Sequence, residues 1–209
     1  FRSLVDSVTD EEMKSLKDSI QKQMRITGES FAELMDAAGD AAQIVGSAGL
    51  AKHITMAASS LAKIDEKDTK FFAENIAAIV GPGGTMEEVQ RVADMLAMQQ
   101  KLGAATAGGT IEAYKNVVAD KDLRGFDPVA MMTAIGMIKN KAPALQDSQI
   151  GNMAKYGLRV LNSPTPDMVK KLKKYGLTSK SFETNGKFDI AKTQKMFAEM
   201  AKTDRKSVV

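Results

Sequence analysis

The stretch Thr85–Gly103, TMEEVQRVADMLAMQQKLG, contains a start, a period and a stop. Thr85 followed three residues later by Glu88 fits a capping box, in which the Thr hydroxyl accepts a backbone N–H and the Glu reaches back to the cap. Val89, Val92, Leu96 and Met98 then step at close to helical spacing, and Gly103 closes the segment. The same grammar recurs in both directions. Thr9-Asp10-Glu11-Glu12 and Ser30-Phe31-Ala32-Glu33 are further capping boxes, and Met13, Leu16, Ile20 and Met24 again step by three or four. Asp127-Pro128 and Thr165-Pro166 pair a capping side chain with Pro at the first helical position, where the missing N–H costs nothing. Gly81-Pro82-Gly83-Gly84, Gly125 and Gly176 are the other stops.

No two-residue alternation of strand length interrupts this pattern. The expectation is therefore an all-α bundle of about nine or ten short helices, about 10 to 18 residues each, with Gly/Pro-punctuated connections. The Gly81–Gly84 break predicts a subdivision of the chain into residues 1–80 and 85–203. The least polar window, 41–62, reads AAQIVGSAGLAKHITMAASSLA. It contains Lys52, His53 and many small residues, so two closely packed helices are expected there, not the ~20 apolar residues of a bilayer span.

Composition narrows the class. An apolar share of 44% with 26% charged residues, over 209 residues, belongs to a globular chain able to bury a core. Fourteen Met, three Tyr and no Trp predict a soft, aliphatic core. Lys plus Arg total 29 against 26 Asp plus Glu, a balance too mild to imply nucleic acid by itself. Cysteine is absent, which fits a reducing cytoplasm. The start, FRSLVDSVTDEE, has no apolar signal-peptide region, and opening on Phe1 instead of Met predicts a piece of a longer protein.

Candidate chemistry is sparse. GAATAGGT, 103–110, nearly spells a phosphate loop, but Gly109 stands where the lysine must be and the preceding segment is helical. A helix–helix connection is the expectation. His53 is the lone histidine, and with no Cys a zinc site would need converging carboxylates. The carboxylates are scattered over caps and solvent faces, and no Trp is present to wall a sugar cleft. The residues thus predict no catalytic, cofactor-binding or metal site, no cofactor, and no enzyme. In LNSPTPDMVKKLKKYGL, 161–177, the two prolines bias Ser163 and Thr165 away from the helical region and force a corner. The short helix that follows carries Met168, Val169, Leu172 and Tyr175 on one face, with Lys170, Lys171, Lys173 and Lys174 on or beside the other. Those lysines are read as a solvated face.

The order of parts carries a resemblance. IGNMAKYGLRVLNSP runs into the Pro corner, then DMVKKLKKYGL, then NGKFD, then a final amphipathic segment IAKTQKMFAEMAK. This succession resembles the core domain of phage tail tape measure proteins. Members typically show ALR-L-SP, a Lys/Glu-rich helix ending in LGI, and a D-GK turn before another helix. Upstream, RVADMLAMQQKLGAATAGGTIEAYKNV resembles the family's ADVL helix, Gly/Thr connection and following helix. ITGESFAELMDAAGDAAQIVG resembles its helix opening on Ser-x-x-Glu-Leu. The resemblance spans roughly residues 27–202 and is strongest over 129–190. Where the family often has an Ala-Gly-Ile turn and GSEAGTAL, this chain reads NKAPALQDSQIGNMAKYGL.

The resemblance implies a non-enzymatic domain of a longer tape measure. It would be assembled in the host cytoplasm and housed in the virion, in the tail tube lumen. There it would help set tail length and leave ahead of DNA. It implies tail tube subunits, tail assembly chaperones and tail tip or hub proteins as partners, homo-oligomerisation within the tail, and no small-molecule substrate. Nucleic-acid contact is left open without being predicted, as is membrane contact during ejection. The alternative from another class is a helical protein-interaction module, such as a bacterial adaptor or secreted effector. A helical enzyme with a lytic site is the third reading.

Overall fold

The computed structural model describes residues 8–103, 105–123, 126–162, 164–174, 176–184, 187–189, 192–193 and 195–196. Among these, nine α-helices follow in order: α1 Asp10–Thr27, α2 Phe31–Val45, α3 Ala48–Ala62, α4 Thr69–Val80, α5 Met86–Lys101, α6 Ala107–Val118, α7 Pro128–Lys141, α8 Asp147–Asn162 and α9 Pro166–Lys174. Two 3-10 turns, Lys121–Leu123 and Ser179–Phe182, and two two-residue strands, β1 Glu183–Thr184 and β2 Lys187–Phe188, complete the order. The fold is all-α.

The caps form as the residues require. Thr9, Ser30 and Thr85 each accept the N–H of the Glu three residues on, and each Glu carboxylate returns to the cap's N–H at 2.8–3.0 Å. Those bonds hold the Glu12 and Glu33 carboxyls below the usual carboxylate range. Asp127 caps α7 with Pro128 in the first turn, and the Thr165 hydroxyl accepts the Met168 N–H at the start of α9. Gly28 ends α1 at φ 82°, a left-handed conformation that costs a residue without Cβ nothing.

The chain divides into two compact units, Phe1–Ile111 and Glu112–Val209, and the division falls inside α6. The Gly81–Gly84 stretch does end α4, but α5 packs on α3 and α4 and so belongs with the helices before it.

In the first unit α2, α3 and α4 pack mutually around alanines. Ala37, Ala38, Ala41, Ala42, Ala51, Ala58, Ala73 and Ala77 are all fully buried, so these backbones approach closely. The window 41–62 is thus the end of α2 and all of α3, as its small residues suggest. No helix among the described residues is long and apolar enough to cross a membrane. Leu34, Ile54, Phe72 and Ile76 fill the remaining volume without exposure.

α1 lies along α3. Lys52 donates to Ser15 Oγ at 3.1 Å, Gln23 to Ser60 Oγ at 3.3 Å, and Lys63 to the Ile26 carbonyl at 2.9 Å. Each pair is 37 residues apart, so the two helices run in the same direction in constant register. The Glu29 carboxylate, in the turn after α1, accepts hydrogen bonds from the buried hydroxyls of Ser59 on α3 and Thr69 on α4. Lys70 on α4 lies 2.7 Å from Asp40 and 3.1 Å from Asp36 on α2; these carboxylates raise its pKa.

In the second unit α7 packs on α8, and α8 also rests on both 3-10 turns. Met132, Ile135, Ile150, Leu158 and Phe182 are buried there. Gly151 lets α8 touch α6: a Cβ at that position would stand 2.4 Å from the Ala113 carbonyl oxygen. Tyr114 is pushed up to about 12, by burial first and the Asp127 carboxylate second.

The Pro corner is followed by α9, on which Leu172 is 2% exposed, Met168 and Val169 are half-buried, and Lys170, Lys171, Lys173 and Lys174 are exposed. Its C-terminus closes with Gly176 N–H on the Lys173 carbonyl and Leu177 N–H on the Leu172 carbonyl, both 3.0 Å, with Gly176 at φ 69°. That is the Schellman pattern. Ser163, Tyr175 and Gly125 lie outside the described residues. So does most of the expected last helix, 190–202, of which 192–193 and 195–196 are helical.

Removing a buried Leu costs about 2–5 kcal/mol, whereas surface changes stay within about 0.5 kcal/mol. Leu172→Ala should therefore lower the urea midpoint clearly, while Lys171→Gln with Lys174→Gln leaves it in place. Equal midpoints for Leu172→Ala and the parent chain would show that α9 is not anchored.

Candidate functional site

An open groove of about 690 Å³ lies between α3 and α5 in the first unit. From α3 it takes His53, Met56, Ala57, Ser60 and Leu61, with Ile64 from the turn that follows; from α5 it takes Met86, Val89, Gln90, Ala93, Asp94 and Ala97. Both sets follow the spacing i, i+3, i+4, i+7, i+8, i+11, which is one face of a helix over three turns. Gln100 Nε2 donates to the Ile64 carbonyl at 2.7 Å, tying the C-terminal ends of the two helices together. At 1.5 Å per residue the groove is about 16 Å long.

Its lining is mostly small and apolar. Ala57, Ser60, Ala93 and Ala97 give it a shallow floor, while Ile64 and Met86 stand at least half exposed along it. The polar groups are His53, Ser60, Gln90 and Asp94, and Gln90 Nε2 donates to Asp94 Oδ1 at 2.7 Å. Partial desolvation holds the His53 imidazole below its ordinary pKa, and the neighbouring Lys52 charge adds to this. Among the described residues, no three His, Asp or Glu side chains come together as a metal site.

The phosphate-loop look-alike resolves differently from a plain connection. α6 begins at Ala107, so Gly108, Gly109 and Thr110 are in its first turn, and only 102–106 link it to α5. The Gly108 N–H donates to Asp65 Oδ2 at 3.1 Å and the Gly109 N–H to Thr106 Oγ1 at 2.9 Å. A carboxylate of the chain itself therefore occupies the helix N-terminus that a phosphate would need. An added Cβ at Gly108 would meet Lys67 Cγ at 2.7 Å and Asp65 Oδ1 at 3.0 Å, so those side chains would have to shift.

The lysines of α9 lie where the spacing put them, on the exposed face. The groove was the feature the sequence reading missed. The signal was present in the repeated spacing of α3 and α5, although spacing alone does not say which part of an apolar stripe is left uncovered. On α5 the buried face includes Gln99 and leaves Met98 45% exposed, the reverse of their polarity. Gln99 is accommodated by a 3.5 Å contact from its Nε2 to Met95 Sδ one turn back.

Compared with protein-family models, curated proteins and solved structures, the chain has no match.

The Asp65 cap, the glycine at position 109 and the solitary His53 together predict no tight binding of ATP, GTP or zinc. Titration calorimetry should show no saturable heat for any of the three. A micromolar dissociation constant for one of them would overturn the non-catalytic reading of this surface.

Proposed function

We propose that this chain is a structural, non-enzymatic domain of a phage tail tape measure protein. It acts in tail assembly and length determination, and it leaves the tail ahead of DNA. The observation that carries the reading is the succession of parts from α8 onward. A long amphipathic helix stops at a double-proline corner, and a short Lys-rich helix follows and closes on Gly176-Leu177. A two-residue strand pair then flanks Asn185 and Gly186. This order resembles that of the tape measure core domain, in which ALR-L-SP, a Lys/Glu-rich helix ending in LGI and a D-GK turn follow one another.

The all-α build is consistent with it. On this reading the domain resides in the tail tube lumen of the virion after assembly in the host cytoplasm. Its partners are tube subunits, assembly chaperones and tip or hub proteins.

The open α3/α5 groove favours a second reading, a helical protein-interaction module of an adaptor or effector, since a three-turn apolar groove suits a partner helix. Mass spectrometry of tails purified after induction of the source strain separates the two. Peptides from this chain should copurify with tube subunits in a fixed ratio to them. Their absence from intact particles, with the chain found free or secreted, would rule the tail reading out in favour of the second.

A further inference from the structure

Gly157 is exposed on α8. It sits in the interior of the helix, where Gly is less favourable than Ala, yet a Cβ there would meet nothing within 4 Å. It is flanked by Tyr156, 71% exposed, and Met153, 49% exposed. Gln149, Met153, Tyr156, Gly157 and Val160 share one helical face with the spacing i, i+4, i+7, i+8, i+11. α8 thus presents an apolar ridge with a notch at backbone level, about as long as the α3/α5 groove.

The two surfaces lie on units of opposite charge. The first unit holds 11 Lys and Arg against 16 Asp and Glu, a net of −5; the second holds 18 against 10, a net of +8. Asp94 lies in the groove, and Lys155 and Arg159 accompany the ridge along α8.

We propose that the chain associates with itself head to tail, the α8 ridge of one copy seating in the α3/α5 groove of the next. Met153 and Tyr156 enter over Ala57, Ser60, Ala93 and Ala97. Gly157 lets the incoming helix backbone come close, as small residues do wherever helices approach tightly. The contact joins two different surfaces, so it can extend into rows, close into rings or be exchanged reciprocally between two copies. Attraction between the oppositely charged units makes it weaken with salt.

Sedimentation velocity of the whole chain tests it, from micromolar to submillimolar concentration in low and high salt. Species larger than the monomer should grow with concentration and recede in high salt. Tyr156→Glu blocks the ridge and Ala97→Glu blocks the groove, so each alone should stay monomeric. An equimolar mixture should give a one-to-one dimer and nothing larger, because each variant keeps the surface the other lacks. Asp94→Lys, at an exposed position, should weaken association without disturbing the fold, and circular dichroism melts verify folding of all three. A parent chain that is monomeric throughout overturns the proposal. So does Ala97→Glu that self-associates as the parent does, which would mean α8 pairing with α8. A monomeric chain whose second unit instead binds duplex DNA, with Tyr156→Glu abolishing the shift, also overturns it.

Discussion

Close approach of α2, α3 and α4 is the constraint on which the first unit depends. Eight fully buried alanines bring these helices together, with Phe72, Ile54 and Ile76 filling the gaps. Alanine contributes little buried area per residue, so the stability of such a core comes from backbone proximity and dense contact rather than from large side chains. The polar ties are placed accordingly. Glu29 joins Ser59 and Thr69, and Lys70 joins Asp36 and Asp40, each linking helices that the alanines have already brought close.

The groove follows from the same geometry. With α3 held against α2 and α4 on one side and α1 on another, its remaining face meets α5, and the floor between them is built from small residues. Small residues that serve close packing in the interior thus leave a shallow channel at the surface. Met56 shows the transition: it lines the groove and also packs against the Leu16, Ile20 and Leu34 cluster.

Much of this was legible in the residues, for local reasons. A capping box or an Asp-Pro start is a hydrogen-bond pattern with fixed spacing, so Thr9, Ser30, Thr85 and Asp127 mark real helix starts. Leu172 and its flanking lysines sorted by face because α9 is a single amphipathic segment. What depended on distant residues was not legible. Asp65, 43 residues upstream, turns the Gly-Gly of the phosphate-loop look-alike into the first turn of α6. The Gly-Pro-Gly-Gly break suggested a boundary that the packing of α5 on α3 and α4 carries past, to within α6. The two-residue strands beside Asn185-Gly186 are too short to show alternation, although that dipeptide is a hairpin signal in its own right. The groove and the notch at Gly157 depend on what is left uncovered, which periodicity does not encode.

The central claim, that alanine-mediated backbone approach organises the first unit, is tested most directly by urea unfolding of Ala41→Leu. Ala41 is fully buried on α2, and three added carbons have no space unless the helices separate. Overpacking of this kind costs about 1–3 kcal/mol, so the midpoint should fall clearly below that of the parent chain. A midpoint equal to or above the parent's would mean that α2 has room to spare, and would contradict the account.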